Sequence, residues 1–151
     1  MSTRSMTMVA QPYSGDGKYI ALYRHCDGYP SVAGAAIAEV LSRVSLNCEG
    51  ICVALLTLPD AEYRLATWMP SEQGDLEHIY TLQWNGRNAG SADYSGAWSI
   101  KHEKRIAWND TPADWESKSY TLAEWVKFVE RERKAMEARI AAYHAKRGDA
   151  K

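Results

Sequence analysis

The chain has 151 residues, of which 46% are hydrophobic and 25% are charged. This length suits one packed domain that needs neither disulfides nor metal ions to hold it together, and it is short for two. Eighteen lysine and arginine residues against 19 aspartate and glutamate residues give a formal net charge of −1. A near-neutral chain is a poor match for a protein that binds nucleic acid without regard to sequence. We therefore expect a single domain over residues 1–151 and no generic nucleic-acid binding.

The sequence also indicates a cellular compartment. No apolar run approaches the roughly 20 residues that a membrane-spanning helix needs, and the N-terminus lacks the basic-then-apolar layout of a secretory signal. Three cysteines, at positions 26, 48 and 52, are an odd number that favours reduced thiols over disulfides. We expect no membrane association and a cytoplasmic location.

The first half of the chain predicts two strands and two further elements. Residues 5–10 and 19–26 are expected to be strands of a β-hairpin, joined by a turn rich in glycine. A turn over 27–30 leads into a helix over 31–44, whose apolar residues recur every three or four positions and so pack on a sheet. Residues 48–58 are apolar almost all round, which is typical of a short buried helix or of a buried strand.

The middle of the chain predicts further strands and two connections. Alternation of apolar and polar residues indicates strands, whereas clusters of Gly, Ser, Asn, Asp and Pro indicate loops. The strands are expected at 62–69, 78–84, 97–102 and 105–108, and the connections at 85–96 and 109–119.

A long helix is predicted over 121–147. Thr121 and Glu124 have the spacing of a capping box, in which each side chain satisfies a backbone donor of the other residue. At about 1.5 Å per residue the helix is about 39 Å long, more than the ~30 Å diameter of a compact domain of this size. Its C-terminal half is therefore expected to project. The fold class that follows is α+β, a mostly antiparallel sheet with a covering helix and a long C-terminal helix.

A projecting apolar stripe needs a partner. The candidate protein-interface residues share one face of this helix: Trp125, Val129, Met136, Ile140 and Tyr143. The sequence thus predicts a homodimer or a complex with another protein through the C-terminal helix. The alternative is an ordinary solvated face, supported by Glu–Lys and Arg–Glu pairs four residues apart. The helix is rich in basic residues while 57–80 is acidic, which favours head-to-tail contacts or a charged partner.

The densest polar chemistry lies at residues 23–30, where a strand runs into a turn and a helix start. Free backbone amides beside Arg24 suit a phosphate, and Tyr29 can stack on a ring, so a nucleotide or phosphate pocket is one interpretation. The favoured interpretation is structural, a scaffold in which Asp27 accepts hydrogen bonds from turn amides. His25 and Asp27 as a general acid/base pair form a weaker, enzymatic version of the same site.

Other catalytic or metal-binding patterns are not recognised in the sequence. Cys48 and Cys52 lie one helical turn apart, but their spacing matches no zinc finger, and small buried hydrophobes are the usual role of such residues. We expect no catalytic residues, no metal and no cofactor. The chain has six tryptophans and nine tyrosines but one phenylalanine. Tryptophan and tyrosine each carry a polar group on an apolar ring, so they suit partly solvent-exposed surfaces. Trp68, Trp84, Trp98 and Trp108 are expected either to line one sheet face as a recognition surface or to belong to the core.

The first part of the chain resembles a known family. The motif residues are TRS at 3–5 and YRHCDGYPS at 23–31, followed by Gly34. They are similar to a family of small proteins of unknown function that are frequent in phages and prophages; residues 75–80 are similar to its acidic-then-aromatic strand, and Val32 stands where the family pattern has glycine. The resemblance implies a compact α/β domain and places a shared site or shared scaffold at Arg4, Arg24, Asp27 and Tyr29.

The phage setting implied by this resemblance leads to two expectations of function. The first is a phage-encoded, non-enzymatic binding protein in the host cytoplasm, which inhibits a host defence protein such as a CRISPR effector through protein contacts. The second is a protein that sequesters or cleaves a nucleotide signal, with Arg4, Arg24, His25, Asp27 and Tyr29 as ligand-binding residues. A structural or accessory phage protein is a third, blander possibility.

Overall fold

The computed structural model describes residues 3–10, 18–43, 47–59, 62–72, 74–84, 98–109 and 111–147. Within these ranges six strands form one sheet and three α-helices lie on one of its faces. The strands are β1 (Ser5–Ala10), β2 (Tyr19–Arg24), β3 (Tyr63–Leu65), β4 (His78–Trp84), β5 (Trp98–Arg105) and β6 (Trp115–Thr121). The helices are α1 (Ala35–Arg43), α2 (Cys48–Thr57) and α3 (Leu122–Arg147). The predicted α+β class is confirmed.

The strand order is β3-β2-β1-β4-β5-β6. Strands β1 and β4 are parallel, whereas the other neighbouring pairs are antiparallel. The sheet is therefore mostly antiparallel, as the sequence predicts. Strands β1 and β2 form the predicted hairpin, whose tip lies outside the described residues. The parallel pair requires a crossover connection, and β2, α1, α2 and β3 lie between β1 and β4 in the chain.

Several predicted boundaries shift. The strand predicted at 19–26 ends at Arg24, and Asp27 beyond it has a positive φ of 53°. The helix predicted at 31–44 begins as a π-helical turn over Pro30–Gly34 and becomes α-helical at Ala35; position 44 lies outside the described residues. Residues 48–57 are helical, which decides between the two alternatives left open for that segment.

Three predictions about strands are wrong or incomplete. The strand expected over 62–69 is formed only by Tyr63–Leu65. The strand expected over 105–108 is not observed: Arg105 is the last residue of β5, and residues 106–108 lie outside any strand. The connection expected over 109–119 contains most of β6, an edge strand whose side chains are mainly exposed, so its sequence carries no apolar alternation. The loop predicted at 85–96 lies outside the described residues.

The larger core lies between the helices and the sheet. Alternate strand residues point to this side, where Val9, Leu22, Leu82 and Ile100 meet the apolar faces of the helices. Helix α3 crosses the π-helical turn at Gly34, where an added Cβ would lie 2.9 Å from Cζ2 of Trp125. The close approach requires glycine, and it fixes α3 over the sheet.

The opposite sheet face carries a smaller cluster. Met6, Met8, Ala21, Tyr23 and Leu76 are buried there. The four tryptophans expected to act together are separated by the sheet. Trp98 is buried on the helix side with half-buried Trp84 against it, Trp68 packs on the opposite face, and Trp108 is exposed. They do not form one recognition surface.

Helix α3 begins at the predicted capping box. The backbone N–H of Thr121 donates to Glu124 Oε2 at 2.8 Å, and the backbone N–H of Glu124 donates to Thr121 Oγ1 at 3.3 Å. Residues 137–147 at the other end are all exposed. We call this segment the overhang. No helix among the described residues is both long and apolar enough to cross a membrane.

Candidate functional site

The strand register places a row of polar residues across the helix-facing side of the sheet. Arg24 pairs with Ser5, Ser5 with His78, His78 with Lys104, and Lys104 with Glu116. Directly paired residues share a sheet face. The next row on this side contains Thr7, Tyr80, His102 and Lys118 in the same strands. A helix-covered face would ordinarily be apolar, so these rows mark the unusual part of the core.

Two histidines form the centre of these rows. His78 Nδ1 and His102 Nε2 lie 2.9 Å apart and share a hydrogen bond. The side chains are only 5% and 6% exposed. Burial, with smaller effects from His102 and Lys104, lowers the pKa of His78 to about 3. Burial, followed by Lys104, lowers the pKa of His102 to about 4. Both imidazoles are therefore neutral at pH 7.

A cleft of about 380 Å³ opens above the two histidines, between the sheet, the start of the π-helical turn and α3. We call it the histidine cleft. Its lining residues are Tyr29, Pro30, Ser31, Glu77, His78, His102, Lys104, Glu116, Lys118, Tyr120, Phe128, Glu132, Met136 and Arg139. Its volume is within the range of pockets that hold small ligands.

The charged residues of the cleft balance one another. Three are basic (Lys104, Lys118 and Arg139) and three are acidic (Glu77, Glu116 and Glu132). None of the six forms an ion pair with another side chain in the described part of the structure. The cleft can therefore offer either sign of charge to a ligand, with no net preference.

The chemistry available at the histidine pair is hydrogen bonding. A neutral imidazole has one donor and one acceptor nitrogen. With pKa values of about 3 and 4, neither ring gains or loses a proton near neutral pH, whereas an efficient general acid or base has a pKa near the working pH. The described residues also contain no group of three or more His, Cys, Asp or Glu side chains placed to hold a metal ion.

The predicted ligand residues do not converge on one cavity. Arg24 is buried, donates from Nε to the carbonyl of Cys26 at 2.8 Å and lies over the Tyr63 ring. It lines a separate shallow depression, beside Val32 and Glu39. Asp27 is exposed. The junction therefore does not present Arg24 and Asp27 to a common ligand.

The remaining three predicted residues are also apart. Arg4 forms an ion pair with Asp75 at 2.5 Å. His25 Nδ1 lies 3.0 Å from the Tyr23 hydroxyl, with which it forms a hydrogen bond. Tyr29 alone among the five lines the histidine cleft, with its ring edge-on to His78 at 6.3 Å.

The turn at 27–30 has clear scaffold contacts. The backbone N–H of Gly28 donates to the carbonyl of Thr3 at 2.9 Å, and the Gly28 carbonyl accepts from the Tyr80 hydroxyl at 2.7 Å. A Cβ at Gly28 would lie 2.8 Å from the Cβ of Ser5. The motif segment thus ties the end of β2 to β1 and β4.

The predicted interface residues divide into two groups. Trp125 and Val129 are buried in the chain's own core, so they are not available to a partner. Met136 is half-buried at the edge of the histidine cleft. Ile140 and Tyr143 are 51% and 54% exposed on the overhang. The first half of the predicted stripe covers the sheet, and only its end remains open.

The cysteines lie apart from the cleft. None of the three forms a disulfide in the described part of the chain. Burial, followed by the charges of Cys48 and Glu49, raises the pKa of Cys52 to about 12. A thiol with so high a pKa is a poor nucleophile and a poor metal ligand at neutral pH.

Sequence reasoning missed the histidine cleft. His78 and His102 are separated by 24 positions and sit on strands whose register the sequence does not reveal. Glu116 and Lys118 lie on β6, where a connection was expected. The usable signal was the placement of His78 and His102 within two alternating strands, since a histidine pointing to the apolar side of a strand is unusual.

Comparison of the chain with protein-family models, with characterised proteins and with solved structures finds no match in any of the three.

Proposed function

We propose that this protein is a non-enzymatic binding protein that acts through contact between its overhang and another protein. The supporting observation is the run of exposed residues 137–147 at the end of α3. Ile140 and Tyr143 lie three positions apart on one helical face and are about half exposed. An amphipathic helix end of this kind fits an apolar groove on a partner.

The charge of the overhang favours an acidic partner. It carries Arg139, Lys146 and Arg147 against Glu137. Arg147 donates to the Tyr143 hydroxyl and lies over the Tyr143 ring at 5.3 Å. A homodimer through this helix, which the sequence also predicts, would bring two positive segments together. Charge complementarity therefore favours a different protein, with an apolar groove edged by carboxylates.

The phage setting implied by the motif resemblance suggests what the partner does. A small phage protein without catalytic chemistry can act in the host cytoplasm by occupying the working surface of a host protein. We propose a host defence protein, such as a CRISPR effector, as the partner, and its inhibition as the outcome.

The expected alternative, a nucleotide site at the junction of residues 24–29, has less geometric support. Arg24 is buried against Tyr63 and the carbonyl of Cys26, and Arg4 is paired with Asp75. These two cations are engaged in holding the turn. A small-ligand site is better supported in the histidine cleft, which shares Arg139 with the overhang but not Ile140 or Tyr143.

The test is capture of the partner from a bacterial lysate by the full chain, with two charge variants. Ile140→Glu places a carboxylate on the apolar face of the overhang. Ala142→Glu adds the same charge about 200° around the helix and is the matched control. Both positions are exposed, so neither variant disturbs the core.

The proposal predicts that one acidic protein is enriched by the unaltered chain and by Ala142→Glu, and is lost with Ile140→Glu. Light scattering counts the subunits in the same samples. Retention of the same protein by Ile140→Glu, or a homodimer abolished by that substitution with no other protein captured, would overturn it.

A further inference from the structure

We propose that the histidine cleft is a binding site for a neutral, planar nitrogen heterocycle of the nucleobase class, as the free base or the nucleoside. This proposal does not rest on the protein contact proposed for the overhang, although Arg139 belongs to both surfaces. It rests on a polar floor, flat aromatic walls and a balanced set of charges.

The floor of the cleft has hydrogen-bonding capacity that the chain does not use. His78 and His102 are more than nine-tenths buried, and their mutual bond uses one nitrogen of each ring. Two neutral imidazoles together have two donors and two acceptors. One donor and one acceptor therefore remain on the outer nitrogens, and no hydrogen bond from these atoms to the described chain is observed.

A third polar group adds to this. Ser31 lines the cleft and also the depression beside Arg24, and its hydroxyl is buried without a hydrogen-bond partner in the described chain. A buried donor or acceptor without a hydrogen-bond partner costs free energy. A ligand or water that bonds to such a group recovers this free energy when it binds. A matching ligand must offer both donors and acceptors. The edge of a nucleobase offers both, whereas a purely apolar ring offers neither.

Aromatic side chains form one wall of the cleft. Tyr120 and Phe128 stack on each other, with ring centroids 5.0 Å apart and planes 28° from parallel, and the Lys118 and Arg131 side chains lie over these rings at 5.2 and 5.4 Å. Phe128 also lies 5.8 Å from His102, so an aromatic surface adjoins the polar floor. Aromatic side chains stack on the faces of bases while polar groups meet their edges. In the cleft, aromatic side chains and polar groups adjoin in the same way.

The charged residues of the cleft favour binding of a nucleoside over binding of a nucleotide. Lys118 would attract a phosphate, but Glu116 and Glu132 line the same cleft and would repel it. Because three cations are balanced by three carboxylates, the cleft gives a bound dianion little net electrostatic stabilisation. The cleft is therefore suited to a ligand without net charge, and the phosphate is expected to add less than about tenfold to affinity.

The test is a calorimetric titration of the full chain with adenosine, guanosine and uridine, each compared with its monophosphate. Inorganic phosphate and tyrosine serve as further probes, because they represent an anion alone and a zwitterion with a ring. At least one nucleoside is expected to bind, within about tenfold of its monophosphate. Inorganic phosphate and tyrosine are expected not to compete.

Three variants connect binding to the cleft. His102→Phe keeps a flat ring but removes both nitrogens, and Ser31→Ala removes one hydroxyl at the wall; each is expected to weaken binding about tenfold or more, as for a lost hydrogen bond to a buried group. His144→Phe, at an exposed histidine of the overhang, is the matched control and should change nothing. If His102→Phe fails to fold, Ser31→Ala carries the test alone.

Glu116→Gln makes the cleft net positive and should improve binding of the monophosphate relative to the nucleoside. The inference is overturned if no nucleoside binds, if the monophosphate binds the unaltered protein far more tightly than the nucleoside does, or if binding survives both His102→Phe and Ser31→Ala. Arg139 lines the cleft and also lies on the overhang, but none of these substitutions changes it or Ile140, so the two proposals fail separately.

Discussion

The indole N–H of Trp125 donates a hydrogen bond to the carbonyl of Gly34 at 3.1 Å. The ring edge of the same tryptophan occupies the space where a side chain at position 34 would begin. Trp125 also packs edge-on against Tyr80 and His102, each at 5.8 Å. One residue therefore sets the height of α3 above the sheet, and with it the depth of the histidine cleft.

Substitution of Gly34 tests this relationship. Gly34→Ala places a Cβ 2.9 Å from Trp125 and 3.2 Å from Val129 Cγ2, so α3 has to shift. We expect a loss of about 1–3 kcal/mol in the free energy of unfolding, typical of overpacking, measured by urea denaturation. Gly74→Ala is the control, because no described atom beyond its chain neighbours lies within 4 Å of its new Cβ. An equal effect of the two substitutions would contradict the packing described.

The pH dependence of stability follows from the histidine pair. The pKa values of His78 and His102 fall to about 3 and about 4 in the folded chain, from an ordinary 6.5. The unfolded chain therefore binds more protons between about pH 4 and 6.5, so stability falls as the pH drops through this window and is fully present above it. A tenfold weakening of proton binding corresponds to about 1.4 kcal/mol.

Urea midpoints measured across that window check the prediction. His144→Phe should keep the full pH dependence, because His144 is exposed. His102→Phe should have a shallower one, since one of the two buried imidazoles is removed. A midpoint that is constant between pH 6.5 and 4 would show that the pair is not buried in the neutral form.

The capping box of α3 makes a measurable contribution. Thr121→Ala removes the hydroxyl that accepts the bond from the Glu124 backbone N–H. The expected cost is about 1 kcal/mol in the free energy of unfolding, the usual value for an N-cap. Ser117→Ala, at an exposed position of the same strand, should leave stability unchanged. Thermal denaturation of the three proteins is sufficient, and no difference between the two variants would contradict the cap.

The two halves of α3 should respond differently to the same substitution. Val129→Glu buries a carboxylate in the core between α3 and the sheet, which is expected to cost several kcal/mol or prevent folding. Ile140→Glu on the exposed overhang should change stability by less than about 0.5 kcal/mol. Circular dichroism melts compare them. Comparable destabilisation by both would mean that the overhang is packed.

The elements found from sequence are those whose signals are local. The capping box at Thr121 and the alternation over 78–84 each lie within a few residues, and both predict the observed boundary. Strand β6 was missed for a physical reason. It is an edge strand with charged and hydroxyl side chains facing solvent, so neither burial nor apolar periodicity marks it.

The histidine cleft needs information that the sequence does not carry. His78 and His102 are diagonal neighbours because Tyr80 pairs with His102 and His78 with Lys104. A one-residue slip in that register would turn the histidines to opposite faces. The motif segment 23–31, by contrast, stands out in the sequence, but the sequence alone does not show whether it is a binding site or a structural scaffold. Hydrogen bonds from Gly28 to Thr3, just before β1, and from Tyr80 to Gly28 favour the scaffold.

Site-specific crosslinking from the overhang measures the proposed protein contact most directly. A photo-reactive amino acid replaces Ile140 in the full chain, or Ala142 as the control, and each protein is illuminated in a bacterial lysate. We predict a crosslink from position 140 to one acidic protein, and little or none from position 142. Equal crosslinks from both positions, or crosslinks from position 140 only to a second copy of this chain, would contradict the proposed contact.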